Sequence, residues 1–516
     1  MSRKVRVRFA PSPTGPLHIG GIRTALYNFL FARRQGGDFT LRIEDTDQNR
    51  LVPGAEQYIM NALEWCGLTP DEGPVRGGAS GPYRQSERRE IYQQHVQMLL
   101  DRGAAYYAFD SVEDLDRMRE EEMKAGNHSP KYDQRTRMKM SNSLTMVQTE
   151  AEKKVADGAA HTVRLLVPAD RPISFDDQVR NQVTFHSQDL DDKVLMKADG
   201  LPTYHLANVV DDKLMQITHV IRGEEWLSST AHHVLLYDAF NWQADMPSFT
   251  HLPLILKPTG SGKLSKRDGQ KFGFPVFPIA WSGSNETDHI QGFNSIGFDP
   301  EALLNFLAFL GWNPGTEQEV FSLSELIANF QISQIGKSGA RFDYDKAIWF
   351  NTQYILKQDA STIAQRALPF LENKGYQVSL QYVEQVARLM RERIHTYAEL
   401  GEHGAYFFGE VSTFNVKILR KKWTRDIREE FENLVDSFGK VDPFEAARLH
   451  DHLHAFIESS GCTIGDVFPL LRIALTGDTK GPDLFEMMEV MGKDRVLNRL
   501  YNSSSTFDTA LEEGGN

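Results

Sequence analysis

The sequence predicts an α/β fold, in which a parallel sheet is interrupted by an inserted α+β domain and followed by an all-helical region. Residues 4–9 and 39–44 alternate apolar and polar side chains as strands do, and residues 17–34 between them carry apolar side chains at helical spacing. Residues 106–200 change to charged stretches with short strand-like runs. From residue 346 onward the pattern is almost entirely helical.

A strand, a helix and a second strand in this order form a βαβ unit, whose strands are parallel. We therefore assign residues 1–105 and 201–255 to one Rossmann-like domain, into which residues 106–200 are inserted. Residues 256–345 form a further domain that contains a lysine-rich loop, and residues 346–516 form the helical region.

Residues that interrupt regular structure bound the individual elements. The Gly36-Gly37 pair separates the first helix from the second strand, and Gly103 ends a helix that starts at Ser86. The remaining elements are strand-like runs at 162–167, 183–186 and 217–221, a charged run at 113–124 and a helical run at 301–310.

The composition is that of an ordinary globular protein, with 41% hydrophobic and 25% charged residues among 516. No run of about 18 apolar residues occurs, so no membrane span is expected. The two cysteines, Cys66 and Cys462, suggest no disulfide framework and fit a reducing compartment. Residues 1–4 lead into the first strand without an apolar signal region, so we expect a cytoplasmic protein.

The net charge of −13 argues only weakly against a nucleic-acid partner, because binding depends on local basic patches. Residues 417–428 hold six basic residues around Trp423. A solvated helix face would explain this run in isolation. Its position in the helical region favours a contact with RNA.

A candidate phosphate site lies where the first strand gives way to the first helix. Residues 8–21 read RFAPSPTGPLHIGG, so that three prolines stiffen the loop and His18, Gly20 and Gly21 stand at the helix start. A helix N-terminus offers free N–H groups to phosphates, and glycine lets a ligand approach the backbone. The segment is neither a P-loop nor a dinucleotide-binding fingerprint.

A second motif lies about 245 residues further along the chain, where residues 263–267 read KLSKR. The two motifs together resemble the paired signature of class I aminoacyl-tRNA synthetases. Three further segments are similar to bacterial-type glutamyl-tRNA synthetases: LRIEDTD at 41–47, PTYHLANVVDD at 202–212 and VIRGEEW at 220–226. The resemblance is dense over residues 5–105 and 190–270 and diffuse but continuous beyond them.

The resemblance implies a site for ATP. Amino-acid activation requires the enzyme to orient two anions and to stabilise charge on the phosphorus and the leaving group. His18, Gly20 and Gly21 would hold the adenosine and α-phosphate side, and Lys263 and Lys266 would cover the pyrophosphate. The remaining ATP-binding residues implied are Leu264 and Ser265 in the loop and Glu225 and Trp226 beside the adenosine. Without the lysine loop, His18 would read as a neighbour of a helix cap.

The resemblance also implies a site for glutamate, whose two carboxylates call for arginine. Arg8 and Arg222 would pair with the substrate, and Glu44 would hold its α-ammonium group. The other positions that match the family pocket are Ser12, Tyr204 and Asn208. Tyr204 and Asn208 are four residues apart and would share one helix face.

We predict no metal held by the protein itself, and expect Mg²⁺ to arrive with ATP. Asp47, Asp211 and Asp212 fit structural or RNA-orienting roles, and His232 and His233, being adjacent on a helix, do not face each other. Many relatives carry zinc-binding cysteines in the inserted domain, where residues 107–110 here read YAFD. Zinc is therefore not expected.

The resemblance assigns tRNA contacts to the remaining parts of the chain. Residues 106–200 would bind the acceptor end, residues 256–345 the stem and residues 346–516 the anticodon. Arg391 and Arg393 match a segment that reads the third anticodon base in relatives, which favours an enzyme that charges only tRNA(Glu). The segment 272–295 is longer than usual for the family, and no function is predicted for it.

The resemblance thus implies a monomeric ligase that forms glutamyl-adenylate from glutamate and ATP and transfers glutamate to the terminal adenosine of tRNA(Glu), with activation that depends on bound tRNA. Glutaminyl-tRNA synthetases are the nearest alternative, but their C-terminal half is usually a β-barrel. A truncated glutamyl transferase would lack an anticodon region. A non-catalytic tRNA-binding paralogue and a small-molecule nucleotidyltransferase remain as alternatives from other classes.

Overall fold

The structure is a computed structural model that describes residues 3–283 and 289–513. The chain forms two compact units. The first comprises Met1–Ser295 and Pro300–Ala347, and the second comprises Ile296–Asp299 and Ile348–Asn516.

The strands belong to the first unit, and none occurs among the described residues of the second. They are β1 (Arg6–Phe9), β2 (Asp38–Leu41), β3 (Ala105–Ala108), β4 (Thr162–Leu165), β5 (Pro172–Asp177), β6 (Asn181–His186), β7 (Val194–Met196), β8 (His219–Gly223), β9 (Ser248–Leu252), β10 (Ile255–Leu256), β11 (Trp281–Ser282), β12 (His289–Ile290) and β13 (Ala340–Arg341).

The helices of the first unit lie between these strands. They are α1 (Ile19–Arg34), α2 (Ala55–Trp65), α3 (Arg89–Asp101), α4 (Val112–Lys124), α5 (Gln148–Ala156), α6 (Tyr204–Leu214), α7 (Ser229–Ala239), α8 (Asp268–Phe272), α9 (Pro300–Phe309) and α10 (Leu323–Asn329). Helix α11 (Tyr344–Lys357) runs from the first unit into the second.

The second unit is helical, as the sequence predicts. Its helices are α12 (Ala360–Asn373), α13 (Leu380–Met390), α14 (Leu400–His403), α15 (Ala405–Phe408), α16 (Val416–Lys422), α17 (Arg425–Phe438), α18 (Ala446–Ser459), α19 (Ile464–Thr476), α20 (Leu484–Met491) and α21 (Lys493–Glu513). They enclose one continuous apolar core, in which Phe407, Phe431 and Leu470 are fully buried.

The predicted parallel sheet is confirmed. β1 and β2 pair in parallel, and the amide of Thr218 just before β8 donates to the carbonyl of Arg6 at 2.9 Å, which sets β8 beside β1. β8 and β9 are parallel, β9 meets β5 at Asp177, and β6 is antiparallel to β5. The order is therefore β2-β1-β8-β9-β5-β6. Helix α1 packs on this sheet through a buried face that includes Ile22 and Leu26.

The strands between residues 105 and 200 divide between two sheets. β3, β4 and β7 form a separate antiparallel sheet, against which Met118 of α4 is buried beside Tyr106. The hairpin of β5 and β6 instead extends the parallel sheet. The strand-like runs read from the sequence correspond to β4 and β6, but their assignment to different sheets was not predicted.

Candidate active site

A cavity of about 750 Å³ opens at the C-terminal ends of β1 and β8. Ligands of open parallel sheets bind at this edge, because the loops that follow the strands converge there. The cavity is lined by every residue that the sequence predicts for ATP or glutamate binding: Arg8, Ser12, His18, Gly20, Gly21, Glu44, Tyr204, Asn208, Arg222, Glu225, Trp226, Lys263, Leu264, Ser265 and Lys266.

His18 is the N-cap residue of α1 and lines the cavity. Its Nδ1 accepts a hydrogen bond from the amide of Gly20 at 3.1 Å. Burial, assisted by the charges of Lys266 and Lys263, lowers the pKa of His18 to about 3, so the ring is neutral. Because Nδ1 accepts, the proton of the neutral ring resides on Nε2. Nε2 has no hydrogen-bond partner among the described residues.

Two glycines of the first motif are required by close approaches of other side chains. A Cβ at Gly21 would lie 2.4 Å from Cδ1 of Leu17, so the side chain of Leu17 fills the space beside this glycine. Gly15 has a φ of +126°, and a Cβ there would lie 3.3 Å from Nζ of Lys266. The lysine therefore lies directly over the proline-rich loop.

Asp268 holds the lysine loop in shape. Its Oδ2 accepts hydrogen bonds from the amide and the hydroxyl of Ser265 at 2.7 and 2.6 Å, and these bonds lower the pKa of Asp268 to about 2. The amide of Leu264 donates to the carbonyl of Ile255 at 2.8 Å. Gly260 and Gly262, which precede the loop, both have positive φ angles.

The two lysines of the loop have different surroundings. Nζ of Lys263 forms an ion pair with Oε1 of Glu225 at 2.6 Å. Burial opposes ionisation of this carboxyl, but the hydrogen bond from Lys263 lowers the pKa of Glu225 overall. Lys266 forms no ion pair among the described residues, and partial burial lowers its pKa. Its ammonium group is therefore available to an anion in the cavity.

Behind the cavity, buried charges form a network that orients Arg8 and Glu44. Nε and Nη2 of Arg8 donate to the two carboxylate oxygens of Asp212 at 3.0 and 3.2 Å. Arg42, which is fully buried, donates to Asp212 at 2.7 Å and to Oε1 of Glu44 at 3.1 Å. Asn208 donates to the same Oε1 at 3.2 Å. Burial raises the pKa of Glu44.

The second predicted arginine, Arg222, has no carboxylate partner among the described residues. Its guanidinium donates to the hydroxyls of Tyr204 at 2.7 Å and Thr230 at 2.8 Å, to the carbonyl of Trp226 at 3.3 Å and to Nε2 of His251 at 3.1 Å. All four acceptors are neutral. Arg222 is 5% exposed, so its charge is buried without a counter-ion from these acceptors.

The cavity thus combines two kinds of anion site. On one side, the start of α1 contributes the imidazole of His18 and the lysine loop contributes an ammonium group, which suit phosphates. The amides of Gly20 and Gly21 are already bound to Nδ1 and the carbonyl of His18. On the other side, Arg222 suits a carboxylate, and Glu44, which lines the same cavity, suits an amine. The indole of Trp226 packs on the ring of Tyr204 with the centroids 4.4 Å apart and is 41% exposed.

In the helical unit, a cavity of about 550 Å³ is lined by Arg393 together with Tyr406, Asp478 and Lys480. Arg391, the other arginine predicted for the anticodon, does not line it, and its Nε is buried without a hydrogen-bond partner among the described residues.

The basic run at 417–428 is partly neutralised in the structure. Lys422 pairs with Asp466 at 3.1 Å, and Arg428 pairs with Asp508 at 2.8 Å. The indole N–H of Trp423 also donates to Asp508, at 2.9 Å. These contacts belong to the packing of α16 and α17 against α19 and α21, so only part of the run is left for a partner.

Within the described residues, no group of three or more histidine, cysteine, aspartate or glutamate side chains is placed to hold a metal ion. Cys66 and Cys462 are free thiols and buried. At residues 107–110, the place of the zinc-binding cysteines of many relatives, Tyr107 and Phe109 pack against the ring of His161. The centroid of the His161 ring lies 5.2 Å from that of Tyr107 and 6.0 Å from that of Phe109. No described helix is long and apolar enough to cross a membrane.

The segment 272–295 packs through its aromatic residues. The ring of Phe274 stacks on Phe342 with the centroids 4.9 Å apart, and Trp281 meets Tyr58 edge to face at 5.3 Å. Residues 284–288 of this segment lie outside the described residues.

Sequence reasoning missed Arg42, and it missed Thr230 and His251, which hold Arg222 together with Tyr204 and Trp226. Arg42 follows β2 directly, and its ion pairs with Asp212 join residues 170 positions apart. Only the tertiary fold brings such residues together, because Asp212 lies on α6. The signal for Arg42 was its place in the LRIEDTD segment at 41–47.

Comparisons with known proteins agree with this geometry. Residues 4–349 match the family model described as tRNA synthetases class I (E and Q), catalytic domain, and residues 362–503 match the model of an anticodon binding domain. Glutamate–tRNA ligases of Amoebophilus asiaticus and Porphyromonas gingivalis are 47% and 49% identical to the chain, with 97% of this chain and 98% of each relative covered.

A crystal structure of a glutamate–tRNA ligase from Elizabethkingia meningosepticum, in complex with its amino acid, has a TM-score of 0.92 and 44% sequence identity, covering 98% of this chain and all of that one. A glutamate–tRNA synthetase structure from Elizabethkingia anophelis matches with a TM-score of 0.90. The fold and the site therefore define a class I tRNA synthetase. Within that class, the chain belongs to the family of the glutamate–tRNA ligases, which confirms the resemblance seen in the sequence.

Proposed function

We propose that the protein is a glutamate–tRNA ligase that activates glutamate with ATP and charges tRNA(Glu). The observation that carries the proposal is the buried guanidinium of Arg222, which lines the same cavity as His18 and Lys266 and has only neutral partners among the described residues. An acidic amino acid supplies the missing negative charge beside the groups that suit ATP.

In the proposed complex, Arg222 pairs with the side-chain carboxylate of glutamate, and Glu44 accepts hydrogen bonds from its α-ammonium group. Both described donors to Glu44 use Oε1, which leaves Oε2 for the substrate. Arg8 contributes positive charge from the wall of the cavity, held in place by Asp212. Ser12, Tyr204 and Asn208 complete the glutamate site.

ATP binds on the other side of the cavity. An oxygen of the glutamate α-carboxylate attacks the α-phosphorus, and pyrophosphate leaves, so catalysis rests on positioning and on stabilisation of charge. His18 donates from Nε2 to the phosphate, Gly20 and Gly21 let the phosphate approach the start of α1 closely, and Lys263 and Lys266 cover the pyrophosphate. The remaining ATP contacts are with Leu264 and Ser265 in the loop and with Glu225 and Trp226 beside the adenosine. Mg²⁺ arrives with the nucleotide.

Transfer follows when the 2′-hydroxyl of the terminal adenosine of tRNA attacks the carbonyl carbon of glutamyl-adenylate and AMP leaves. Residues 106–200 bind the acceptor end, residues 256–345 contact the stem and residues 346–516 bind the anticodon. Arg391 and Arg393 read the third anticodon base, and the cavity beside Arg393 supports this role. Activation depends on bound tRNA(Glu), and the enzyme acts as a cytoplasmic monomer without zinc.

Charging assays test this function. The purified protein should attach labelled glutamate to tRNA(Glu) in an ATP-dependent reaction and should not attach glutamine. Arg222→Ala should raise KM for glutamate far more than KM for ATP, because in the proposed complex the guanidinium contacts glutamate and does not contact ATP. Equal charging with glutamine, or no charging by folded protein, would refute the assignment.

A further inference from the structure

Three polar side chains stand behind Arg222, away from the residues assigned to the substrate. Arg222 on β8 faces His251, its register partner on the parallel strand β9, and Nε of the arginine donates to Nε2 of the histidine at 3.1 Å. Nδ1 of His251 in turn lies 2.7 Å from Oδ2 of Asp177, the last residue of β5. A chain of hydrogen bonds therefore crosses three neighbouring strands.

The protonation state of this chain follows from its donors. A guanidinium N–H can only donate, so Nε2 of His251 is an acceptor and the ring proton resides on Nδ1, where it is donated to Asp177. Asp177 stays ionised because its Oδ1 also accepts from the amides of Val179 and Arg180 at 2.9 and 2.7 Å. Burial lowers the pKa of His251, which keeps the ring neutral beside the arginine.

A second neutral acceptor lies on α7. Oγ1 of Thr230 accepts from Nη2 of Arg222 at 2.8 Å and lies 3.1 Å from Nε2 of His251. Both Thr230 and His251 are fully buried. The guanidinium is thus fixed at Nε and Nη2 by partners that carry no charge, whereas Arg8, on the neighbouring strand β1, is held by the carboxylate of Asp212.

The difference between the two arginines has a chemical consequence. A carboxylate beside Arg222 would fix the guanidinium equally well, but it would also neutralise the charge before any ligand arrived. The imidazole of His251 separates the arginine from Asp177 by the width of one ring. The orientation of the guanidinium is then secured while no carboxylate among the described residues contacts it.

We propose that Asp177, His251 and Thr230 are positioning residues that orient Arg222 through neutral contacts, so that the enzyme selects glutamate over glutamine. This inference rests on the function proposed above, and it concerns residues outside the cavity lining. An ionised side-chain carboxylate gains the full attraction of an unpaired guanidinium, and a neutral carboxamide does not.

Two matched threonine variants test the proposal in the full-length protein. Thr230→Val removes an acceptor of Arg222, and Thr250→Val removes a hydroxyl that donates to Gln178 at 3.2 Å; both threonines are fully buried. Steady-state charging of saturating tRNA(Glu) gives kcat and KM for glutamate, for ATP and for glutamine. Thermal unfolding of each variant measures its stability.

We expect Thr230→Val to raise KM for glutamate about 10-fold, as expected for loss of a hydrogen bond to a charged group, with KM for ATP unchanged. The preference for glutamate over glutamine in kcat/KM should fall by a similar factor. Thr250→Val should lose comparable stability and keep both constants. His251→Leu should act as Thr230→Val does, and His251→Gln should restore much of the preference, since its amide oxygen can accept from Arg222.

The outcomes separate the possible explanations. If Thr230→Val and His251→Leu fold and leave KM for glutamate unchanged, or raise KM for glutamate and ATP equally, these residues do not position Arg222. If the two threonine variants behave alike, the effect is one of general stability and the proposal is wrong. If the wild-type protein itself does not charge tRNA with glutamate, the proposed function fails before this test begins.

Discussion

His18→Asn separates the two roles that the structure gives to one side chain. The ring caps α1 by accepting a hydrogen bond from the amide of Gly20 on Nδ1, and it carries an N–H on Nε2 that has no partner among the described residues. Asparagine is a favourable N-cap residue whose oxygen can accept the same amide, but it is too short to supply the Nε2 donor. His18→Ala loses both functions and serves as the reference.

The magnitudes of the two effects differ. Loss of one preorganised donor to developing charge costs about 100- to 1000-fold in rate, so both variants should slow adenylate formation by that factor. Both also lose the edge-to-face contact with Phe277, whose ring lies 6.0 Å away. Only His18→Ala loses the cap, which should make it about 1 kcal/mol less stable than His18→Asn.

The assay is single-turnover formation of glutamyl-adenylate at saturating ATP, glutamate and tRNA(Glu), with urea unfolding of the same preparations. Because the pKa of His18 is about 3, the wild-type rate should show no acid limb from this residue near neutral pH. If His18→Asn retains the wild-type rate while His18→Ala loses it, the residue acts through the helix cap alone, and the assignment of a phosphate donor is refuted.

Three further predictions follow from the same site and from the helical unit. Lys266→Ala should slow activation about 100-fold while tRNA binding survives, since the ammonium group is free of ion pairs among the described residues. Lys271→Ala, outside the cavity, is the control, and an equal loss of rate in this variant would contradict the role of Lys266 in activation. Because burial raises the pKa of Glu44, the wild-type KM for glutamate should rise as the pH falls through this raised pKa and the carboxylate becomes protonated. Glu44→Gln should bind glutamate weakly at every pH. Identical pH profiles of KM for the two proteins would remove Glu44 from the site. Arg393→Ala should raise KM for tRNA(Glu) about 10-fold without changing KM for ATP, and Arg388→Ala, an exposed neighbour, should not.

The predictable part of the site is encoded locally. The proline-rich loop, the histidine and the two glycines are contiguous, and alternation in the preceding strand sets them at the edge of a sheet, where α1 begins at Ile19. The lysine loop is likewise contiguous, and Gly260 and Gly262, which precede it, both have positive φ angles. Helical spacing puts Tyr204 and Asn208 on one face, and both line the cavity.

The support behind the site depends on sheet order, which local patterns do not contain. β5 follows a charged stretch and reads as part of the insertion, yet it pairs with β9 and brings Asp177 to His251 across 74 residues. The ion pair of Arg8 with Asp212 spans 204 residues. The sequence around an arginine does not indicate whether its partner will be a carboxylate or a neutral ring. In this protein Arg8 pairs with a carboxylate and Arg222 with a neutral imidazole.

The most direct test of the account is ATP–pyrophosphate exchange with glutamate or glutamine, with and without tRNA(Glu) and tRNA(Gln). Exchange that requires glutamate and tRNA(Glu) together is the predicted result, and it would establish both the substrate and the dependence on tRNA. Exchange with glutamate in the absence of tRNA would retain the ligase and remove the dependence. Exchange supported by glutamine, or none from folded protein under any condition, would contradict the central claim that the cavity around Arg222 activates glutamate.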